Sequence, residues 1–260
     1  MANEPKIAVW DLETSDLKAN KGFIFCGAVC DPLNMDVEMF RIDKYKGYKR
    51  DLRNDQGLVV DLVRELSSAD LWVTYYGKRF DLPFLSSRIL YWRSRGIDIP
   101  HLENVPHIDL YDTARRKLAL HSNRLASVSA FLGNTSKTSV DLALWMDAAY
   151  GKKEALEHIV EHCYDDVITL AEDYLDLRPL IRAHPHMGLL RGSGPQSCSS
   201  CASEDIQRRG IYVTEATKRQ RLYCKNCGKW SSVPYREPKN NNKNTVVEGG
   251  SSSHKPSQAG

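Results

Sequence analysis

Apolar residues form short runs in the first third of the chain and fall into helical spacing further on. Ile7-Ala8-Val9-Trp10 reads as a buried strand that ends in Asp11-Leu12-Glu13-Thr14. Residues 22–29 and 36–42 are two more strand-like runs, with Asp31-Pro32-Leu33-Asn34 as the turn between them, which predicts a three-stranded meander. Helical spacing follows over 58–66, then a fourth, largely apolar strand over 71–76 and a helix that begins at Asp81-Leu82-Pro83 and carries Ile89, Leu90 and Trp92. A short strand over 106–110 precedes helical segments at 111–120, 124–132 and 140–150. A long helix over about 153–182 has its apolar positions Leu156, Ile159, Val160, Cys163, Val167, Leu170, Ala171 and Tyr174 at i, i+3, i+4, i+7.

Three places in this pattern put acid where apolar residues would be expected. Side chains at i and i+2 of a strand share a face, so Asp11 and Glu13 stand side by side. Two adjacent carboxylates repel when ionised, and a hard divalent cation relieves the repulsion; a solvated turn relieves it as well. On the long helix Asp166 lies on the apolar stripe, between Cys163 and Leu170, whereas Asp165 neighbours His158, Glu161, Thr169 and Glu172 on the wet face. An inward carboxylate needs a partner, either a metal ion or an arginine. His162 sits one turn before it on the same side. Asp81 stands at a helix start, which suits an N-cap as well as a ligand.

Composition narrows the class. A hydrophobic share of 42% and a charged share of 27% belong to a folded globular chain. No apolar run approaches the roughly 20 residues that span a bilayer, and the polar first residues lack a signal peptide's apolar core, so a cytoplasmic protein with no membrane partner is expected. The net charge of +3 is uneven. Residues 198–238 carry +4 and residues 239–260 carry +2, which leaves −3 on residues 1–197. An acidic body with a basic appendage suits an enzyme that handles a polyanion.

The appendage begins after a Gly- and Pro-containing linker, 183–197. Cys198 and Cys201 form one Cys-x-x-Cys pair and Cys224 and Cys227 another, 22 residues on. Two matched pairs predict four thiolates on one structural, tetrahedral Zn²⁺, and the whole looks like a zinc ribbon over 198–238. Cys26, Cys30 and Cys163 lie singly in apolar segments and read as buried thiols. Arg208, Arg209, Lys218, Arg219 and Arg221 alternate with tyrosines along a hairpin, with Trp230 beyond it. That interleaving fits phosphate pairing and base stacking; it also fits a hairpin whose tyrosines cover the zinc site. The Lys- and Tyr-containing stretch 44–53 is read as a solvated loop, and residues 239–260, without aromatics, as a disordered tail.

Taken together, WDLET at 10–14, YYGKRFDLPFL at 75–85 and HCYDDVITL at 162–170 resemble the DEDD family of 3′–5′ exonucleases, and most of all its YprB-like branch of bacterial and phage proteins. The resemblance covers roughly 5–182 within a body taken as 1–182. It implies an α/β, RNase H-like fold with a mixed five-stranded sheet flanked by helices. It also implies Asp11, Glu13, Asp81 and Asp166 as ligands of two Mg²⁺ or Mn²⁺ ions about 4 Å apart, Asp11 bridging them, and a single-stranded 3′ end of DNA or RNA as substrate. Family members place a Tyr four residues, or a His five residues, before the last Asp to orient the attacking water. Here those positions hold His162 and Glu161, so His162 is expected to replace the Tyr. Tyr164, out of register, is expected to pack, and Asp109 to be structural. The departure leaves open a second reading, a nucleic-acid-binding or replisome-adaptor protein with little activity.

Overall fold

A computed structural model describes residues 5–134 and 141–236. The tail from 239 on, and Val140 at the start of one expected helix, lie outside the described residues.

Five strands form one mixed sheet in the order β3-β2-β1-β4-β5. Strands β1 (Ile7–Thr14), β2 (Ile24–Asp31) and β3 (Asp36–Arg41) are the antiparallel meander, while β4 (Leu71–Thr74) and β5 (His107–Asp109) run parallel to β1. Central β1 and β2 are apolar on both faces because helices cover both, and edge strand β3 alternates exposed and covered positions. On one side α1 (Gln56–Ser67) packs against β2, β3 and α2 (Asp81–Arg93). On the other, α6 (Lys153–Leu177) crosses β1, β2 and β3 and is held in turn by α3 (Leu110–Lys117), α4 (Leu125–Leu132) and α5 (Leu142–Ala149). The expected α/β architecture is therefore present.

The helix α6 stops earlier than its spacing suggests. Pro179 lies in the 3₁₀ turn at Arg178–Leu180, where a proline cannot supply the amide that continues an α-helix.

One polar group in the core carries no signal in the hydrophobic pattern. Asp55, fully buried, receives Arg88 Nη2 at 2.7 Å and Nε at 2.8 Å, Trp92 Nε1 at 2.6 Å and the Ile24 amide at 2.9 Å. This network ties the start of α1 to α2 and β2, with every donor matched to a carboxylate oxygen.

Residues 183–197, expected to be a linker, are mostly exposed or half-buried, with Met187, Gly188 and Ser197 buried. They include the one-turn helix α7 (Met187–Leu190). His184 lies flat on Tyr174 of α6; its Nδ1–H donates to the Pro185 carbonyl at 2.7 Å, so its Nε2 accepts from the Tyr174 hydroxyl at 2.8 Å. Beyond it a second sheet, β6-β7-β8, forms from Ile206–Val213, Lys218–Cys224 and Trp230–Pro234. The hairpin is as expected, and the third strand was not signalled because Trp-Ser-Ser-Val-Pro is short and ends in proline.

Candidate metal centre and cysteine cluster

The acidic centre forms where the parallel strands end. β1 pairs with β4 only over Ile7–Val9 against Leu71–Val73, so Asp11 and Glu13 run on past the end of β4. There the chain turns away through Tyr75–Phe80 to α2. Tyr76 takes a left-handed conformation, φ 65°, which is costly for a bulky side chain. Asp109 holds it there: the buried carboxylate accepts the Tyr76 and Lys78 amides at 2.8 and 3.3 Å and, as the cap of α3, the Tyr111 amide at 3.1 Å. Gly77 next to it has no room for a Cβ, which would lie 2.5 Å from Thr74 Oγ1. Asp109 thus has the structural role expected of it.

This turn delivers Asp81, only 3% exposed, to the first turn of α2, but Phe80 occupies the cap position, so Asp81 is not the N-cap. The fourth carboxylate comes from the middle of α6. Asp166 is partly covered and Asp165 exposed, as the stripe requires. Thr169, assigned to the wet face, is buried. Tyr164, expected to pack, is 44% exposed; it shares the outer face of α6 with Glu161 and Asp165.

Ligand atoms of Glu13, His162 and Asp166 all lie within 4.8 Å of one another. The His162 imidazole reaches both, with Nε2 at 3.7 Å from Glu13 and 3.6 Å from Asp166. Asp11 and Asp81 are not within that 4.8 Å group, but their charges act on it. Burial and then the charges of Asp81 and Asp166 push the Asp11 carboxyl well above the usual range. Burial and then Asp11, Asp166 and Asp81 do the same to Glu13. Burial lifts Asp81 to about 7, with the Leu12 amide partly opposing, and burial raises Asp166 while His162 opposes. Among the described residues no Lys or Arg pairs with any of the four. Four carboxylates from β1, α2 and α6, crowded, poorly hydrated and without a cationic side chain, are a donor set that fits hard divalent cations. Beneath them Cys163 Sγ lies 4.0 Å from the Asp11 carbonyl, and its thiol, raised well above its ordinary value by contact with Cys26 and by burial, is inert packing.

The four paired cysteines also converge. Cys198 Sγ lies 3.5 Å from Cys227 Sγ and Cys201 Sγ 3.7 Å from Cys224 Sγ, all four within 4.8 Å. Four sulfurs about 2.3 Å from a tetrahedral zinc stand about 3.8 Å apart, so the donor set fits that ion. The Ser200 amide donates to Cys198 Sγ at 3.4 Å and Asn226 Nδ2 to Cys201 Sγ at 3.6 Å, contacts that steady thiolates.

The basic side chains of the hairpin are only partly available. Arg219 donates to Ser232 Oγ and O, each at 2.8 Å; Arg208 reaches Gln196 at 2.8 Å; Arg209 lies over Tyr223. Arg221 stacks over Trp230, itself 48% exposed. Lys218 is exposed at the start of β7 and is not without a partner.

A mixed sheet whose first strand, second helix start and last long helix converge in acid defines an RNase H-like protein. Residues 8–174 match the RNase_H superfamily, and the chain belongs to that family. No curated protein matches it. Among solved structures it is similar to the family B DNA polymerase of the hyperthermophilic archaeon Pyrobaculum calidifontis, at 16% identity and a TM-score of 0.49, over 84% of this chain and 32% of that one. No described helix is long and apolar enough to cross a membrane.

Proposed function

We propose that the protein is a metal-dependent 3′–5′ exonuclease, with a zinc ribbon that helps hold the strand. The observation that carries this reading is that Asp11, Glu13, Asp81 and Asp166 act on one another's charge while, among the described residues, no Lys or Arg pairs with them. Two Mg²⁺ or Mn²⁺ ions, when bound, supply a polarised water and offset charge on the leaving 3′ oxygen of the phosphodiester. Asp11 and Glu13 hold the β1 side of the site and Asp81 and Asp166 the helical side. His162, between Glu13 and Asp166, is placed to orient water and take its proton. The 3′–5′ direction rests on the order of the acidic residues along the chain, which is that of the DEDD enzymes.

Digestion of 5′-labelled single-stranded DNA and RNA, with Mg²⁺, with Mn²⁺ and without a divalent ion, tests the proposal beside an Asp11→Ala/Glu13→Ala control. A metal-dependent ladder shortening from the 3′ end, absent in the control, is the expected result. Digestion that persists when the 3′ end is blocked would make it an endonuclease. One observation favours the adaptor reading instead. His162 Nε2 lies 3.7 Å from Glu13 and 3.6 Å from Asp166 and fills the space between two of the acids; on that reading the strand is bound by wild type and control alike without being cut.

A further inference from the structure

One cleft opens on the body and a second between the body and the cysteine module. The first is lined by Lys78, Asp109, Asp112, Arg116, Lys117 and Arg182 among others. The second shares Lys117, Leu180 and Arg182 with it and runs on past His186 to Trp230. They therefore form one groove. Its lining includes Lys78, three residues before Asp81 in the chain, and, in the second cleft, the half-exposed ring of Trp230; none of the four acids lines it.

The charges in the groove are one-sided. Its two acids are committed, since Asp109 is taken by three backbone amides and Asp112 by Arg79 at 2.9 Å. Among the described residues Lys78, Arg116, Lys117 and Arg182 have no carboxylate partner, and all four are exposed. The dipole of α3 accounts for Arg116 and Lys117 in its last turn. It does not account for Lys78 and Arg182, which reach the same groove from other elements. Lys229 sets the far wall by donating from Nζ to the Ile181 carbonyl, which fastens the module beside Arg182.

We propose that this groove carries the phosphate backbone of a single strand from Trp230 to the acidic centre, apart from the hairpin arginines singled out by the sequence. The inference rests on the nuclease reading. Unpaired cations of three elements supply the phosphate contacts, and Trp230, 48% exposed with Arg221 over its ring and Tyr223 beside it, leaves only its uncovered part for a base.

Fluorescence anisotropy tests it, with zinc-loaded full-length protein, no Mg²⁺ or Mn²⁺, and a labelled single-stranded oligonucleotide over a range of salt. An Arg116→Gln/Lys117→Gln/Arg182→Gln variant is compared with wild type and with Arg64→Gln/Arg95→Gln on other exposed faces. Each lost phosphate contact removes about 0.7 from the slope of log affinity against log salt, so the triple variant loses about 2. Affinity at low salt should fall at least about tenfold. A single Lys78→Gln variant should lose about 0.7 of slope. An unchanged slope in these variants, with or without weaker binding, overturns the groove, as does a loss no larger than the control's. If wild type binds and digests strands while the slopes stay equal, only the groove falls; if wild type neither binds nor digests, the nuclease reading falls with it.

Discussion

Removing the charge of Asp81 should stabilise the metal-free protein, and only at high pH. The carboxyl is 3% exposed and burial lifts it from 3.8 to about 7. The folded state therefore binds a proton that the unfolded chain has already released. Stability from this group is fully present below pH 3.8 and is lost as pH rises through about 7. The rise corresponds to on the order of 4 kcal/mol, a large part of a typical domain's 5 to 15. Asparagine keeps the shape and the acceptor oxygen facing Leu12 but never ionises. Without divalent ions, Asp81→Asn should thus exceed wild type by about 2 to 4 kcal/mol at pH 8 and by little at pH 4. Denaturant unfolding followed by tryptophan fluorescence measures this, since four of the five tryptophans lie in the body. Adding Mg²⁺ or Mn²⁺ at pH 8 should raise wild type more than the variant, because ions that bind only the folded state stabilise it. A variant no more stable than wild type at pH 8, or equally favoured at both pH values, would refute the argument that buried, uncompensated charge dominates this site.

Three further outcomes follow from particular contacts. His162→Phe should slow digestion by about 10² to 10⁴ across pH 6 to 9; an unchanged rate over that range removes His162 from the chemistry. Metal analysis should find one zinc per chain, lost in Cys198→Ser, and limited proteolysis should then cut within 191–236 while the body resists; equal resistance in both proteins would mean that the small sheet folds without the ion. Asp55→Ala should cost about 3 to 5 kcal/mol because it strands Arg88 and Trp92 Nε1 inside the protein, and adding Arg88→Met should recover part of it; a denaturation midpoint within error of wild type would deny the network its role.

The strands were legible because β1, β2 and β4 are apolar runs and β3 alternates, while the five-stranded mixed arrangement was legible only through family resemblance. Asp11, Glu13 and Asp166 could be placed from periodicity, since i, i+2 on a strand and the stripe of a helix are local rules. Local rules do not show which acids meet, and the convergence of Asp81 with them was legible only through family resemblance. Asp55 with Arg88 escaped notice because a buried ion pair leaves two ordinary polar letters in unrelated segments. The groove was missed for a similar reason: Lys78, Arg116 and Arg182 are far apart in sequence, and Arg115-Arg116-Lys117 alone reads as a helix end suited to its dipole. The burial of Met187 and Gly188 within 183–197 was hidden by the glycines and prolines around them, which mark turns whether or not the turns are packed.

The long reach of α6 has a consequence for how the protein comes into being. Cys163 and Asp11, in contact in the fold, are 152 residues apart in the chain. While a ribosome is still making the first five strands, Asp11 and Glu13 exist without Asp166 or His162, and the donor set is incomplete. Competence to cut nucleic acid, on the reading proposed here, therefore appears only after α6 has emerged and docked. Until then the chain lacks two of the groups that the proposed chemistry calls for.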